Sequence, residues 1–453
     1  MESSELLPGG RPWIQRLVLR PQALLASSFA AAIAVGTLLL SLPFAHHGKV
    51  GLLEALFTAT SAVCVTGLVV VDTGKDFTVF GQTVILLLIQ AGGLGIVTFG
   101  ALFFLLARRR LSLRAEAAVE DIFFQRDLAH EFRRFLTVTI LTTFALEALG
   151  ALVLYHGFRS TLPGSKAAFA AVFHAVSALC NAGFSTFSDS LTGWRHTKLV
   201  VWTIAGLIIL GGLGFPVLLE LGERTAAVVL GRKPERLHLS MHARVVLVTS
   251  AILTIAGAFL LLVVGTGKEA HNAGDAIFQS ITARTAGFNT VVIGDMPLAS
   301  VLILALLMFI GGSPGSTAGG IKTTTAAAVG AWLWTRIRGG IDVGFGKRRV
   351  PEGLLVRAGL LVALALLWNA AGTVILACAQ PEASLRDLLF EQISAFGTVG
   401  LSCGITPLLS PTARLWIIIT MFVGRLGPLT LVLWALEGER PHFRYPPGHL
   451  MIG

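Results

Sequence analysis

The stretch Phe396–Gly404, FGTVGLSCG, contains Thr398-Val399-Gly400, a residue order suited to one kind of chemistry. At such a turn, as in the TVGYG loop, successive backbone carbonyls face inward and replace the hydration shell of a monovalent cation. Looser copies of the element stand upstream, each between two long apolar runs: Val65-Thr66-Gly67-Leu68, Asn181-Ala182-Gly183-Phe184 and Thr285-Ala286-Gly287-Phe288. The rest of the chain reads as a frame for these loops and for Thr398-Val399-Gly400-Leu401.

The frame is a membrane one. Of 453 residues, 54% are hydrophobic and only 13% charged, and the mean hydropathy is +0.78, far above the soluble globular range. Apolar runs long enough to cross roughly 30 Å of hydrocarbon at about 1.5 Å per residue begin near Pro21, Val79, Phe135, Leu199, Arg244, Leu298, Leu354 and Leu415. They predict eight full spans, with a shorter segment inside each pair. The first run is too long, and lacks a small-residue cleavage site, to be a cleaved signal.

The net charge of +10 gathers between the pairs and at the ends, at Arg11, Arg16 and Arg20, at Arg108, Arg109, Arg110 and Arg114, at Arg224, Arg232, Lys233 and Arg236, at Arg336, Arg338, Lys347, Arg348 and Arg349, and at Arg440 and Arg444. By the positive-inside rule these segments are cytoplasmic. An even number of spans separates successive clusters, so one orientation satisfies them all: both termini inside, glycine loops outward. Basic runs that flank spans and lack interleaved aromatics do not describe a nucleic-acid surface. Cys64, Cys180, Cys378 and Cys403 form no CxxC pair and no zinc-spaced cluster, and read as small buried side chains beside tight backbone.

Aligned on Gly67, Gly183, Gly287 and Gly400, the chain repeats at intervals of about 110 residues. Each unit runs span, short helix, loop, span, with boundaries predicted at 1–107, 108–222, 223–333 and 334–453. Ahead of the glycines, Phe57, Phe173, Ile277 and Phe390 share one offset, and Ser61, Ser177, Ile281 and Ser394 follow one helical turn later. The fold class predicted is all-α: an integral membrane protein with eight transmembrane helices and four re-entrant pore helices around a central pseudo-fourfold pore. Irregular backbone at membrane depth is tolerated only where it is buried in protein or lines a watery path, and the carbonyl ends of four short helices favour a cation on that path.

The second span of each unit carries a glycine mark: Gly92-Gly93-Leu94-Gly95, Gly211-Gly212-Leu213-Gly214, Gly311-Gly312-Ser313-Pro314-Gly315 and Gly424-Arg425-Leu426-Gly427. The third copy extends as GGSPGSTAGGIKTTT, from Gly311 to Thr325. Interior Gly and Pro disfavour helix by about 1 and 3 kcal/mol, so an unwound, gate-like loop is expected there, against a merely kinked helix. The fourth copy places Arg425 where Gly93, Gly212 and Gly312 stand. Facing the axis at about 6 Å with an effective dielectric near 20, it would oppose a passing cation by roughly 3 kcal/mol; the other reading is a helix–helix tie to a carboxylate or to loop carbonyls, and the two can coexist. Further intramembrane charges, mainly Arg284 and Lys322, are fewer than an enzyme or proton pump needs. Arg284 reads as holding its loop, Lys322 as bonding unwound carbonyls or pairing across a dimer, and His174 and Glu391, equivalent on two short helices, as packing or mouth residues.

Signatures of enzymes are missing from the pattern. GSTAGGIKT misses the phosphate-binding GxxxxGK[ST] spacing because Ile321 separates Gly320 from Lys322. His130-Glu131 lacks the second histidine of a zinc protease, and no GxSxG elbow occurs.

The four loops VTGL, NAGF, TAGFN and TVGLS, the broken segment GGSPGSTAGGIKT and the arginine in the last span resemble the Trk/Ktr/HKT superfamily of cation transporters over essentially the whole chain. Eight spans without an extra N-terminal pair, and the ending Arg444-Tyr445-Pro446, are more similar to the bacterial Ktr-type membrane subunit than to the Trk type. The resemblance implies a K⁺ uptake protein of the bacterial inner membrane, a homodimer with one pore per subunit. It implies a cytosolic partner, an RCK/KTN-type ring that carries the nucleotide, with no cofactor in this chain. It makes the four loops a selectivity filter, with K⁺ held by the carbonyls of Thr66, Ala182, Ala286 and Val399. Gly311, Gly312, Ser313, Pro314, Gly315, Ser316, Thr317, Ala318, Gly319, Gly320 and Lys322 become an intramembrane gate, and Arg425 the pore-constricting arginine.

Gly67 favours K⁺, because sodium-selective plant relatives are known for serine at that position. Only the fourth loop keeps Thr-Val-Gly and none keeps the Tyr-Gly end, so fewer carbonyl rings and weaker discrimination against Na⁺ are expected than in a tetrameric K⁺ channel. The alternatives are a Na⁺-conducting or poorly selective relative, and a membrane scaffold or receptor without transport.

Overall fold

The computed structural model describes residues 21–48, 50–107, 132–231, 239–266, 272–346 and 348–427. Arg11, Arg16, Arg20, Arg108, Arg109, Arg110, Arg114, Arg232, Lys233, Arg236, Lys347, Arg440, Arg444 and both termini lie outside them. The chain is a mostly helical membrane protein. In order come α1 (Pro21–Leu40), α2 (Leu52–Val63), α3 (Val79–Ala107), α4 (Phe132–Phe158), α5 (Gly164–Leu179), α6 (Lys198–Leu213), α7 (Phe215–Val229), α8 (Met241–Val264), α9 (Ala273–Thr282), α10 (Leu298–Phe309), α11 (Thr323–Ile337), α12 (Glu352–Ala379), α13 (Leu385–Gly397) and α14 (Pro411–Leu426). A two-residue hairpin, Gly344–Phe345 with Arg348–Arg349, precedes α12.

Among the described residues, three helices are each long and apolar enough to cross a membrane, Leu136–Phe158, Met241–Val264 and Glu352–Ala379. The pair α6 and α7 makes a fourth candidate, bent by 107°. Their outer faces carry large exposed apolar side chains, such as Ile252, Ile255, Phe259 and Val263 on α8 and Leu360, Leu367 and Val374 on α12. A helix that is hydrophobic all round needs lipid on the side that no neighbour covers. Helices α2, α5, α9 and α13 differ: with 12, 16, 10 and 13 residues they are too short to span, and each ends at one of the four glycine loops. Asn272 and Ser384 cap α9 and α13 by accepting from Gly274 N and Asp387 N.

Each short helix packs against the two long helices of its own unit, and α14 returns to pack on α2, closing the last unit against the first. Outside the ring the closure is charged: Arg414 Nη1 donates to Glu54 Oε1 at 2.7 Å, and Arg195 donates to Asp275 at 2.6 Å between units two and three.

The glycine mark has a steric cause. A Cβ on Gly92 would lie 2.0 Å from Val63 O, on Gly211 2.0 Å from Leu179 O, and on Gly424 2.0 Å from Phe396 O. The second long helix of these units thus touches the carbonyl end of its own short helix through bare backbone, an approach that any side chain blocks.

Three sequence expectations change. The second unit, read as one run from Leu199, breaks at Gly214 (φ +90°) into α6 and α7, with Pro216 in the first turn of α7. In the third unit the unwound stretch ends sooner than Thr325, because Thr323–Thr325 already belong to α11. In α9 the register is one residue off: Ile277 is 38% exposed while Phe278 is fully buried, as Phe57, Phe173 and Phe390 are in the other units.

Gly211→Ala is expected to lower the thermal stability of the detergent-purified protein by about 1–3 kcal/mol, the cost of overpacking. Gly206→Ala on the same helix meets nothing within 4 Å and should leave the melting temperature unchanged or slightly higher.

Candidate functional site

The loops that follow α2, α5, α9 and α13 share one unusual backbone. Val65, Asn181, Thr285 and Thr398 have φ of 55°, 57°, 76° and 48°, and the glycines two places later have φ of 91°, 68°, 80° and 95°. Left-handed residues alternating with a residue of negative φ turn successive carbonyls to one side, where an ordinary strand would alternate them. The cost is strain at three β-branched positions, Val65, Thr285 and Thr398.

What holds the strain is a repeated set of bonds from the preceding short helix. Ser61 O accepts from Thr66 N (2.8 Å) and Ser61 Oγ from Gly67 N (3.1 Å). Ser394 treats Val399 N and Gly400 N in the same way, at 2.9 and 3.1 Å. Ser177 O accepts from Ala182 N at 2.7 Å while its hydroxyl donates to Phe184 O at 2.8 Å. In the third loop Thr282 O accepts from both Ala286 N and Gly287 N; Thr282, not Ile281, stands where the serines do, and this loop is one residue shorter.

The four loops meet. A Cβ on Gly67 would lie 2.4 Å from Ala182 O, on Gly183 2.7 Å from Ala286 O, on Gly287 2.3 Å from Val399 O, and on Gly400 2.2 Å from Thr66 O. Each glycine faces the carbonyl of the next loop, in chain order and back to the start, so Thr66, Ala182, Ala286 and Val399 form one closed ring. Thr66, Thr285 and Thr398, in three of the loops, bury hydroxyls without a protein partner.

Beneath the ring runs the unwound stretch between α10 and α11. Its ends are pinned by Gly311 N donating to Ile321 O (2.9 Å) and Thr323 N to Gly312 O (3.0 Å). It also docks on the break of the second unit, where Ser313 N donates to Gly212 O and Phe215 N to Gly315 O, both at 3.0 Å. Ser316 Oγ closes its own turn on Ser313 O at 2.6 Å. Gly319 lies so near the fourth loop that a Cβ there would sit 2.1 Å from Thr398 Oγ1. Ala318 O accepts from Lys322 Nζ at 2.6 Å, the first of the two roles open for that lysine.

Thr317 is the junction. Its hydroxyl lies 3.2 Å from Leu179 O and from Gly211 O, to either of which it can donate, and 3.1 Å from the Asn181 carboxamide. That carboxamide, turned so that its nitrogen donates to Ile208 O (3.2 Å), accepts from Gly212 N (3.1 Å). Arg425, 4% exposed, donates through Nη1 to Thr317 O and through Nη2 to Gly92 O at 2.7 Å. The guanidinium ties one carbonyl of the unwound stretch and one of α3, a tie that can coexist with an axis-facing position, and it bridges the fourth, third and first units.

The other polar groups point elsewhere. Arg284 reaches outward to Ser250 O and Ser250 Oγ on α8, both at 3.1 Å. His174 bonds Ala170 O and Ser185 Oγ, and Glu391 bonds Ser402 and Thr406, so both tie a short helix to the chain beyond its glycine. Cys64 and Cys180 are free and buried at the ends of α2 and α5. Among the described residues, no group of three or more His, Cys, Asp or Glu is placed to hold a metal. Sequence reasoning passed over Glu147, buried on α4; the signal was a lone acid inside the apolar run from Phe135.

Residues 20–441 match the TrkH family, described as cation transport protein. The chain is 35% identical over 438 residues to "Ktr system potassium uptake protein B" of Bacillus subtilis, covering 96% of this chain and 97% of that one. It is 31% identical to "Potassium/sodium uptake protein NtpJ" of Enterococcus hirae over 96% and 98% of the two chains. Its fold matches the crystal structure of the potassium transporter TrkH from Vibrio parahaemolyticus with a TM-score of 0.71, at 18% identity, over 96% of this chain and 87% of that one.

Thr317→Val keeps the volume and removes the hydroxyl at the junction. It should cost about 1–3 kcal/mol, the penalty for a buried polar partner left unpaired, read as a lower melting temperature; an unchanged one would mean that the junction adds nothing.

Proposed function

The chain belongs to the TrkH family of cation transport proteins, and on that premise we propose that it takes up K⁺ across a bacterial inner membrane through the four-loop ring. It is a transporter and not an enzyme. The single observation that carries the K⁺ reading is the closed glycine–carbonyl ring, in which four crowded, glycine-only approaches set four backbone oxygens side by side. Oxygens held by a rigid backbone can replace a hydration shell at no further ordering cost. The relative named for potassium uptake, similar over almost its whole length, supports the same cargo.

In this reading α1 and α3, α4 with the bent pair α6 and α7, α8 with α10 and α11, and α12 with α14 give eight spans, and α2, α5, α9 and α13 are four re-entrant pore helices around a pseudo-fourfold axis. Their carbonyl ends lend partial negative charge to the ring. The four repeats keep the boundaries 1–107, 108–222, 223–333 and 334–453. The stretch 311–325, unwound as far as Lys322, is the gate: it lies under the ring, is held by bonds that an unwound segment can exchange, and is strapped by Arg425. Moving it aside would break the bond of Arg425 to Thr317 O and free the guanidinium from the path. Both termini are cytoplasmic, the working unit is a homodimer in the lipid bilayer, and a cytosolic RCK/KTN-type nucleotide-binding ring controls the gate.

A second reading, mixed K⁺ and Na⁺ transport, is favoured by the relative named for both ions and by the absent Tyr-Gly end of the filter pattern. Rubidium uptake in cells lacking their own K⁺ systems, with and without the cytosolic regulator and with competing Na⁺, separates the readings. Uptake that resists Na⁺ is expected; equal competition would favour mixed transport, and background-level uptake would overturn both.

Gly67→Ser places a Cβ at φ +91° and 2.4 Å from Ala182 O, so K⁺ uptake should fall or its preference over Na⁺ narrow. An unchanged K⁺/Na⁺ ratio would remove Gly67 from the filter. Arg425→Ala, or deletion of 311–325, should raise basal flux, by up to about a hundredfold for a barrier of roughly 3 kcal/mol. Wild-type flux in folded protein would sink the gate.

A further inference from the structure

Glu147 has no part in the ring or the gate. It sits about midway along α4, on a helix whose stretch Leu136–Phe158 is apolar enough to cross the bilayer, and is only 5% exposed. Its Oε2 accepts from Gln90 Nε2 on α3 at 3.3 Å, and its Oε1 is buried without any hydrogen-bond partner. One and two turns earlier on the same helix stand Thr143 and Thr139, also buried; the Thr139 hydroxyl likewise lacks a partner. A polar stripe therefore runs along α4 inside the bundle and ends at this carboxyl.

The carboxyl is joined to the ring by short links. Gln90 Oε1 accepts from Cys180 Sγ at 3.8 Å, and Cys180 ends α5 immediately before Asn181 and Ala182. Two residues along α3 from Gln90, Gly92 O holds Arg425.

An ionisable side chain at membrane depth usually has a partner or a task, and here the partner is one neutral amide. The helices packed on α4 are α3, α5 and α6. Their titratable groups are few: none on α3, Lys166 and His174 on α5 with Cys180 at its end, and Lys198 at the start of α6; α4 itself adds Arg133 and Arg134 in its first turn, more than three turns from Glu147, and Tyr155 and His156 near its end. Among the described residues of these helices, Cys180 is the titratable group joined to the carboxyl through Gln90, and no ion pair to Glu147 is formed among them. A metal ion would need several oxygens at once, whereas a proton needs one lone pair, and Oε1 offers it.

We infer that Glu147 is a proton-binding site within the bilayer whose charge modulates cation passage through the second loop of the ring. The modulation rests on the transport reading above; the proton site does not. With the carboxylate ionised, its negative charge offsets Arg425 and favours a cation near Ala182 O. With the proton bound, that help is lost, so flux falls as the medium is acidified.

The test uses the full chain in liposomes, with rubidium flux and the infrared carboxyl band both followed from alkaline to mildly acidic pH. Wild type should lose flux several-fold on acidification while a protonated-carboxyl band grows with the same midpoint. Glu147→Gln should lack that band and hold flux at the low, acid level at every pH. Gln90→Leu, which removes the donor that favours the ionised form, should keep the band but move its midpoint to higher pH; this second variant keeps the idea testable if Glu147→Gln misfolds. A band that titrates in protein with no flux at any pH supports the proton site and overturns the transport reading. A wild-type pH profile in Glu147→Gln, or no band in wild type that Glu147→Gln abolishes, overturns the inference.

Discussion

Backbone carbonyls that are unpaired at membrane depth are the constraint on which the structure depends. In lipid every such group costs several kcal/mol unless protein or water meets it, so irregular loops in a membrane protein must be enclosed by their own chain. The fold does this by placing the four loops against one another. Each glycine faces a carbonyl of the next loop, and the bonds from Ser61, Ser177, Thr282 and Ser394 hold the loop amides. The left-handed residues Val65, Thr285 and Thr398 are tolerated because these surroundings leave their backbone no other course.

From that enclosure the glycines of the long helices follow. A carbonyl in the last turn of three short helices, Val63 O, Leu179 O and Phe396 O, has neighbouring backbone against it, and Gly92, Gly211 and Gly424 supply it at distances that a Cβ would not permit. The third unit solves the same problem differently. Its long helix stops at Phe309, and the chain crosses beneath the ring before α11 begins at Thr323. The carbonyls freed by that break are met by Gly311 N, Thr323 N, Lys322 and Arg425, so a segment lacking helical bonds is nevertheless well bonded.

Asymmetry is then concentrated where the second, third and fourth units meet below the loops. The break at Gly214 in the second unit opens the room in which Ser313 and Gly315 dock, and Thr317 joins that break to the end of α5. Arg425 reaches across to both Thr317 O and Gly92 O. A fourfold sequence repeat thus carries a twofold kind of specialisation: symmetrical where the four loops meet, and individual below.

Much of this was legible in the residues. The runs starting near Val79, Leu199 and Leu298 begin within a residue of α3, α6 and α10, because hydropathy and helix coincide where the chain enters lipid directly. Those starting near Arg244 and Leu415 begin earlier, after Ser240 and Ser410, since a capping hydroxyl and a polar first turn at the interface precede the apolar run. The one-residue shift that puts Phe278 rather than Ile277 inside was not legible, because either residue suits an apolar face and only the shorter third loop decides between them. Nor was Glu147 visible as a buried group with one bare oxygen, for burial depends on which helices lie beside α4. Composition, spacing and glycine placement determined by themselves that the chain lives in a membrane, repeats four times and carries a tight glycine turn in each repeat, since these follow from hydrophobicity and local backbone freedom. That the turns close into one ring, that Thr317 gathers the second and third units, and that Arg425 holds loop carbonyls were decided only in three dimensions, because the partners are separated by a hundred residues or more and meet through packing that no local pattern encodes.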